Sequence, residues 1–263
     1  MPPCSFRLCS RILPNFFVIG LGTALFICAV FYVIPDNMMK SSYPFLFFTN
    51  LLISTFFYIM WLWSWFIAIA GDPGRTIDDL KDRGVLKRVL NGDIPNCLRH
   101  LQICPICSMP RPPLSEHCKT CGYCHLRRDH HCGVTGQCVA DKNMKGFILS
   151  FFYSALFSLS VSPAGAYNFI ELRTYEVLSM LLMIYGPTFF FLMTIFGFSF
   201  LYQGMRDVSK LDEIGGRPKS FGLKKYLKSF GNSFQEKIIP YQRRSTQYAW
   251  IGVNWEDENV FPL

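Results

Sequence analysis

The sequence predicts an all-α integral membrane protein with four transmembrane helices and a cysteine-rich domain between the second and third. Three observations carry that expectation. Of 263 residues, 51% are apolar, 26 of them Phe, and only 17% are charged, a balance outside the range of soluble globular domains. The charges avoid four long stretches. Seven of the eleven cysteines lie between Cys104 and Cys138.

Taken in order, residues 1–15 form a short N-terminal segment carrying Arg7 and Arg11. Residues 16–34, uncharged over 19 positions, predict the first span. It runs into "YVIPDNMMK" with no small-residue cleavage site, so it reads as retained. Residues 45–70, 147–170 and 177–202 are uncharged over 26, 24 and 26 positions and predict the other three. At about 1.5 Å per residue, each crosses a hydrocarbon layer of roughly 30 Å.

The net charge of +8 sits between these runs. Residues 71–146 hold 12 Lys and Arg and residues 203–263 hold 10, whereas the two short connections hold Lys40 and Arg173 alone. The positive-inside rule then places both termini and the middle segment in the cytosol. In the second span, "WLWSWF" sets Trp61, Trp63 and Trp65 either at headgroup level or in packing contacts. "GDPGR" ends that helix. Residues 76–90 predict an amphipathic helix along the membrane surface. In the tail, "FGLKKYLKSFGNSF" is either a basic interfacial segment or a docked helix, and "WEDENVFPL" reads as a loose acidic end. Cys4 and Cys9 read as free thiols open to acylation.

Cysteines in pairs separated by two residues and mixed with histidines have the spacing of metal sites in a reducing compartment. The cluster comprises Cys104, Cys107, His117, Cys118, Cys121, Cys124, His130, His131, Cys132 and Cys138. Structural zinc takes four such ligands at tetrahedral corners, so ten candidates fill two sites and leave two over. Spacing alone does not say which two. A segment so poor in apolar residues gains its fold largely from the metal. The acidic residues interspersed through 71–146 and the flanking spans argue against nucleic acid as a partner. A channel or transporter fits the four spans but not their lack of buried charge. His100 and His125 read as solvated side chains.

The chain resembles the DHHC-type protein S-acyltransferases, or palmitoyltransferases. The matching residues are "DPG" at 72–74, "CPIC" at 104–107, "RPP" at 111–113, "HCKTCGYC" at 117–124, "DHHC" at 129–132, Cys138, Asn143 and Phe147. The resemblance implies a cytosolic DHHC domain at 102–146 with two interleaved structural zinc ions. One is held by Cys104, Cys107, His117 and Cys124, the other by Cys118, Cys121, His131 and Cys138. It leaves Asp129, His130 and Cys132 for catalysis.

A free thiol with a pKa of roughly 8.5 must ionise to attack, and an adjacent imidazole fixed by a carboxylate assists it. The implied reaction moves a long-chain acyl group, typically palmitoyl, from acyl-coenzyme A through a Cys132 thioester to a cysteine of a membrane-apposed cytosolic protein. Arg127 and Arg128 are candidates to meet the coenzyme phosphates, and Ser150, Ser154 and Ser158 to line the acyl chain. The implied location is an endomembrane, Golgi or endoplasmic reticulum, with the plasma membrane as alternative; whether an accessory subunit takes part is not legible.

The sequence departs from the family pattern at Leu114, Gly133, Val134, Gln137 and Ala140. "GMRDVSKLDE" stands where the family has Thr-Thr-x-Glu, and "YLKSFG" lacks the Asn usual upstream of the C-terminal motif. A catalytically weak or inactive scaffold of the same fold is therefore the alternative reading.

Overall fold

The computed structural model describes residues 4–214, 222–241, 249–250 and 253–255. Side chains are described from Pro14 onward, except Leu211, Asp212, Ile214 and Lys225. The readings made for Cys4, Cys9 and residues 256–263 fall outside this set. The chain forms two compact units, Met1–Phe66 with Phe147–Leu201 and Ile67–Gly146 with Tyr202–Leu263.

The long helices are α1 (Cys4–Ile27), which continues through a π-helical turn at Cys28–Val33 into α2 (Ile34–Lys40); α3 (Pro44–Ala70); α6 (Met144–Tyr167), ending in a π turn at Asn168–Leu172; and α7 (Glu176–Ile214). Among the described residues, four stretches are long and apolar enough to cross a membrane: Pro14–Lys40, Pro44–Ala70, Met144–Leu172 and Glu176–Lys210. The protein is a multi-pass membrane protein.

The helices outrun the uncharged runs because polar residues at their ends find partners. Asp36 accepts from Asn168 Nδ2 (3.0 Å) and Thr174 Oγ1, and pairs with Lys40 (2.6 Å). Asn168 Oδ1 in turn accepts from Ser179 Oγ (2.9 Å), and Asn37 Nδ2 donates to the Ala164 carbonyl (2.9 Å). The widened turn at Cys28–Val33 lies one residue before Pro35, whose missing N–H interrupts the helical ladder.

The first unit is held by Ala29, Val33, Phe47, Tyr58, Trp61, Phe157, Val161 and Leu182, all buried. Trp61 and Trp65 are packing residues, while Trp63 is exposed. Glycine permits the closest helix approach: a Cβ on Gly186 would lie 2.7 Å from the Ser158 carbonyl. Phe16, Phe45, Val177 and Phe191 point outward, as a surface solvated by lipid requires. Ser150, Ser154 and Ser158 are buried and donate to the carbonyls of Phe147, Phe151 and Ala155 on their own helix.

In the second unit three two-stranded antiparallel hairpins follow one another. β1 (Gln102–Ile103) pairs with β2 (Pro110–Arg111), β3 (Glu116–Cys118) with β4 (Tyr123–His125), and β5 (His130–Cys132) with β6 (Gln137–Val139). These strands, two or three residues each, are too short to pack a sheet core. The apolar core lies elsewhere, in Leu80, Val85, Val89, Leu98, Leu126 and Trp250.

That core corrects one expectation. Residues 76–90 form not one surface helix but two short ones, α4 (Thr76–Asp82) and α5 (Leu86–Leu90), broken near Gly84 at φ +75°. Leu80 is fully buried, so their apolar face is consumed inside the unit. In the tail, α8 (Leu223–Lys228) is followed by α9 (Phe234–Ile238). Tyr226 and Phe230 are buried, and the Tyr226 ring lies against Gly204, where any Cβ would collide with it. This segment is a docked helix.

Candidate metal centres and thiol site

The second and third hairpins each present donors to more than one place because successive strand residues face opposite sides, whereas the first gives both Cys104 and Cys107 to one set. Cys104, Cys107, His117 and Cys124 form one group and Cys118, Cys121, His131 and Cys138 another, with the ligand atoms of each within 4.8 Å of one another. In the first group Cys107 and Cys124 sulfurs are 3.3 Å apart, and His117 Nδ1 lies 3.8 and 3.9 Å from those of Cys104 and Cys124. In the second, His131 Nδ1 lies 3.6, 3.3 and 3.8 Å from Cys118, Cys121 and Cys138 sulfurs.

A zinc tetrahedron with bonds near 2.3 Å to sulfur has edges of about 3.8 Å. Three thiolates and one imidazole suit that ion, and the residues present fit it. These are the two sets the resemblance implies.

Asp129, His130 and Cys132 stand outside both groups. His130 Nδ1 donates to Asp129 Oδ2 at 2.6 Å, which fixes the ring tautomer and turns Nε2 away from the carboxylate. Asp129 is held twice more: its backbone N–H donates to the Val139 carbonyl (3.0 Å), and its Oδ1 accepts from Gln203 Nε2.

Hydrogen bonding to Asp129, then to Cys132, outweighs burial and raises the His130 imidazole to about 9. Burial works against ionising Cys132, but His130 and then Thr135 outweigh it and bring the thiol from 9.0 to about 7. The Thr135 backbone N–H points at the sulfur from 3.5 Å. The arrangement is a thiol poised to ionise at neutral pH beside a protonated imidazole.

The loop bearing this group is tied down by Gln137, Asn143 and Asp72. Gln137 Nε2 donates to the Ala68 and Gly71 carbonyls (2.7 and 3.1 Å) at the C-terminal end of α3, satisfying acceptors that a helix end otherwise orphans. Asn143 spans the Ala140 N–H (2.9 Å) and the Cys138 carbonyl (3.0 Å). Asp72 closes a turn onto the Gly74 N–H and pairs with Lys142, while the Pro73 and Gly74 carbonyls accept from the Lys142 and Leu126 N–H groups. Gly133 and Val134 are exposed.

Arg127 pairs with buried Asp141 (2.8 Å) and Arg128 with exposed Glu116 (2.7 Å). Gln203 and Thr135 were not among the sequence candidates, and His125, read there as solvated, is buried at 2% exposure. Only His100 of that pair is exposed.

Residues 98–208 match the family model described as DHHC palmitoyltransferase. Among curated proteins, the chain is 34% identical over 118 residues to "Probable protein S-acyltransferase 13" of Arabidopsis thaliana, which covers 41% of this chain and 39% of that one. It is 41% identical over 68 residues to "Palmitoyltransferase ZDHHC23-A" of Danio rerio, 23% and 17% of the two chains. To "Palmitoyltransferase ZDHHC2" of Homo sapiens it is 33% identical over 94 residues, 36% and 24%. The chain spans less than half the length of these relatives.

Proposed function

We propose that this chain, whose cysteine-rich segment is a DHHC palmitoyltransferase domain, is a protein S-acyltransferase that carries a long-chain acyl group on Cys132. One observation supports the reading above the others. Eight of ten clustered ligand-type side chains pair off into two complete metal sets, and the cysteine left over neighbours an imidazole fixed by a carboxylate. A thiol near 7 beside an imidazole near 9 is suited to attacking a thioester.

In the first stage the Cys132 sulfur bonds to the acyl carbon of acyl-coenzyme A and the bond to the coenzyme sulfur breaks. His130 gives that sulfur its proton. In the second, a substrate cysteine gives its proton to His130 and attacks the acyl-enzyme, and Cys132 leaves as thiolate. Asp129 holds the ring throughout. The two ligand sets would each hold a zinc ion that fixes the hairpins carrying these groups. Arg128, whose partner is exposed, is freer than Arg127 to meet the coenzyme phosphates. Palmitoyl is the expected acyl group, since each buried methylene contributes about 0.8 kcal/mol to retaining the chain in lipid.

The substrates in this reading are proteins with a cysteine at the cytosolic membrane surface, and both termini and the metal domain face the cytosol. An endomembrane location follows from the family resemblance alone. Purified full-length protein in detergent, given a clickable acyl-coenzyme A, is expected to take up a hydroxylamine-sensitive label that Cys132→Ser abolishes. Folded protein with its full zinc content that takes up none would overturn the proposal and favour the scaffold.

A further inference from the structure

The docked tail leaves an apolar face that the protein does not cover. α8 buries Tyr226, yet Leu223 on the same helix is exposed, and on α9 Phe234 is 75% and Ile238 38% exposed. Residues four apart on a helix share a face, so Phe234 and Ile238 form one patch. The segment that carries them is held firmly. Ser233 and Glu236 close a capping box at the start of α9, the Asn232 N–H donates to Glu236 Oε2 (2.6 Å), and the Tyr241 hydroxyl donates to the Phe230 carbonyl (3.5 Å).

What covers the patch follows from where the segment is tied. Lys145 Nζ donates to the Glu236 carbonyl in the middle of α9 and lies 3.5 Å from the centre of the Tyr241 ring. The Tyr226 ring rests on Gly204. Lys145 is the second residue of the membrane-crossing stretch Met144–Leu172 and its last charge before Glu171. Gly204 stands just ahead of Arg206, the first charge after Glu176 in the stretch Glu176–Lys210. Both anchors therefore lie where an apolar span meets its first charge, which is the edge of the hydrocarbon layer. α8 and α9 are held at the level of the headgroups. Basic residues accompany the patch there, since Lys224 and Lys228, again four apart, are exposed on α8.

We propose that the outer face of α8 and α9 is a lipid-docking surface. Phe234 and Ile238 enter the boundary between headgroups and acyl chains, and Lys224 and Lys228 meet anionic headgroups beside them. Amphipathic segments of this kind lie in the plane of the interface with their apolar side chains about 5–10 Å deep, and each basic residue near the surface adds attraction to anionic lipid. The bilayer then clamps the tail from one side while Tyr226 and Gly204 hold it from the other.

The proposal does not depend on acyl transfer, so its test reads lipid contact. Full-length protein with Phe234→p-benzoylphenylalanine, eluting from size exclusion as the wild type does, is irradiated in nanodiscs of phosphatidylcholine containing phosphatidylserine. Mass spectrometry of the peptide bearing residue 234 is expected to show a lipid adduct comparable to that from the same probe at Phe191, an outward residue of α7. Lys224→Gln combined with Lys228→Gln should lower the yield at 234 severalfold in these discs and leave it unchanged in pure phosphatidylcholine. No lipid adduct at 234 while position 191 labels overturns the proposal, as do adducts at 234 to protein alone, which would assign the face to a second copy or another partner. A lipid adduct indifferent to both the lysines and phosphatidylserine overturns the headgroup contact.

Discussion

At the scale of single residues, the sulfur of Cys132 is set apart by subtraction, and the subtraction is legible in the sequence: ten ligand-type residues exceed two tetrahedra by two. What turns a spare thiol into a nucleophile is less legible. The Asp129 to His130 bond follows from the motif, yet the third hold on Asp129 comes from Gln203, 74 positions away and one residue past the predicted end of the fourth span. No local pattern marks it. His125 was misread for a related reason, since a histidine beside a row of cysteines carries no sign of whether its strand face is covered. With the thiol near 7 and the imidazole near 9, thiolate accumulates as pH rises through 7, and the imidazolium proposed to protonate the leaving coenzyme disappears as pH rises through 9. Single-turnover acylation should therefore climb through about pH 7 and decline above about pH 9. His130→Gln should move the lower limb toward an ordinary thiol and reduce the rate by roughly 10²–10⁴-fold. Gln203→Ala removes one charge-assisted hydrogen bond from Asp129, within about 1.5–3 kcal/mol. It is expected to slow acylation about tenfold while leaving zinc content unchanged, whereas an unaltered rate would mean that the remaining holds suffice.

Among the elements, the spans were legible and their ends were not. The uncharged run placed the end of the first span at Ile34. In the fold Asp36 is a buried acceptor shared by Asn168 and Thr174 and paired with Lys40, so the helix runs on to Lys40. The connection that joins these residues spans more than 130 positions, beyond any periodicity argument. Residues 76–90 failed in the opposite sense: their amphipathic pattern was real, but a core formed by Leu98, Leu126 and Trp250 supplied the apolar face with a protein partner in place of lipid. Asn168 is the hub of the polar group, donating to Asp36, Asn37 and Thr174 and accepting from Ser179. Asn168→Ala strips a buried carboxylate of a donor and should destabilise the first unit by about 1–3 kcal/mol. A lower midpoint of thermal unfolding in detergent, with zinc retained, would register it; an unchanged midpoint would mean that Lys40 and Thr174 satisfy Asp36 alone.

For the molecule as a whole, the two units draw on different sources of stability. The first is held by aromatic and aliphatic packing among long helices, which needs no cofactor. The second has hairpins of two or three residues, a small apolar core, and a tail fixed by the Trp250 indole N–H on Asp79 and by Arg83 stacked 4.4 Å from the Trp255 ring. Such a core holds α4 and α5 and reaches the ligand hairpins through Met109 and Cys107, and the rest of their cohesion is expected from eight ligands converging on two ions. Structural zinc supplies about 10–16 kcal/mol in comparable small domains, more than any side-chain contact here. Stripping zinc with a strong chelator should therefore open residues 102–139 to protease and abolish acyl labelling, while the far-ultraviolet helical signal, dominated by the spans, changes little. Readdition of zinc should reverse both effects. Trp250→Ala provides the converse case, costing about 3–5 kcal/mol of packing in a region that ligates nothing, so it should loosen residues 76–101 with both ions still bound. If the chelated protein resisted protease as the zinc-loaded protein does, the hairpins would owe their order to something other than metal, and the seat of Cys132 would need a different physical account.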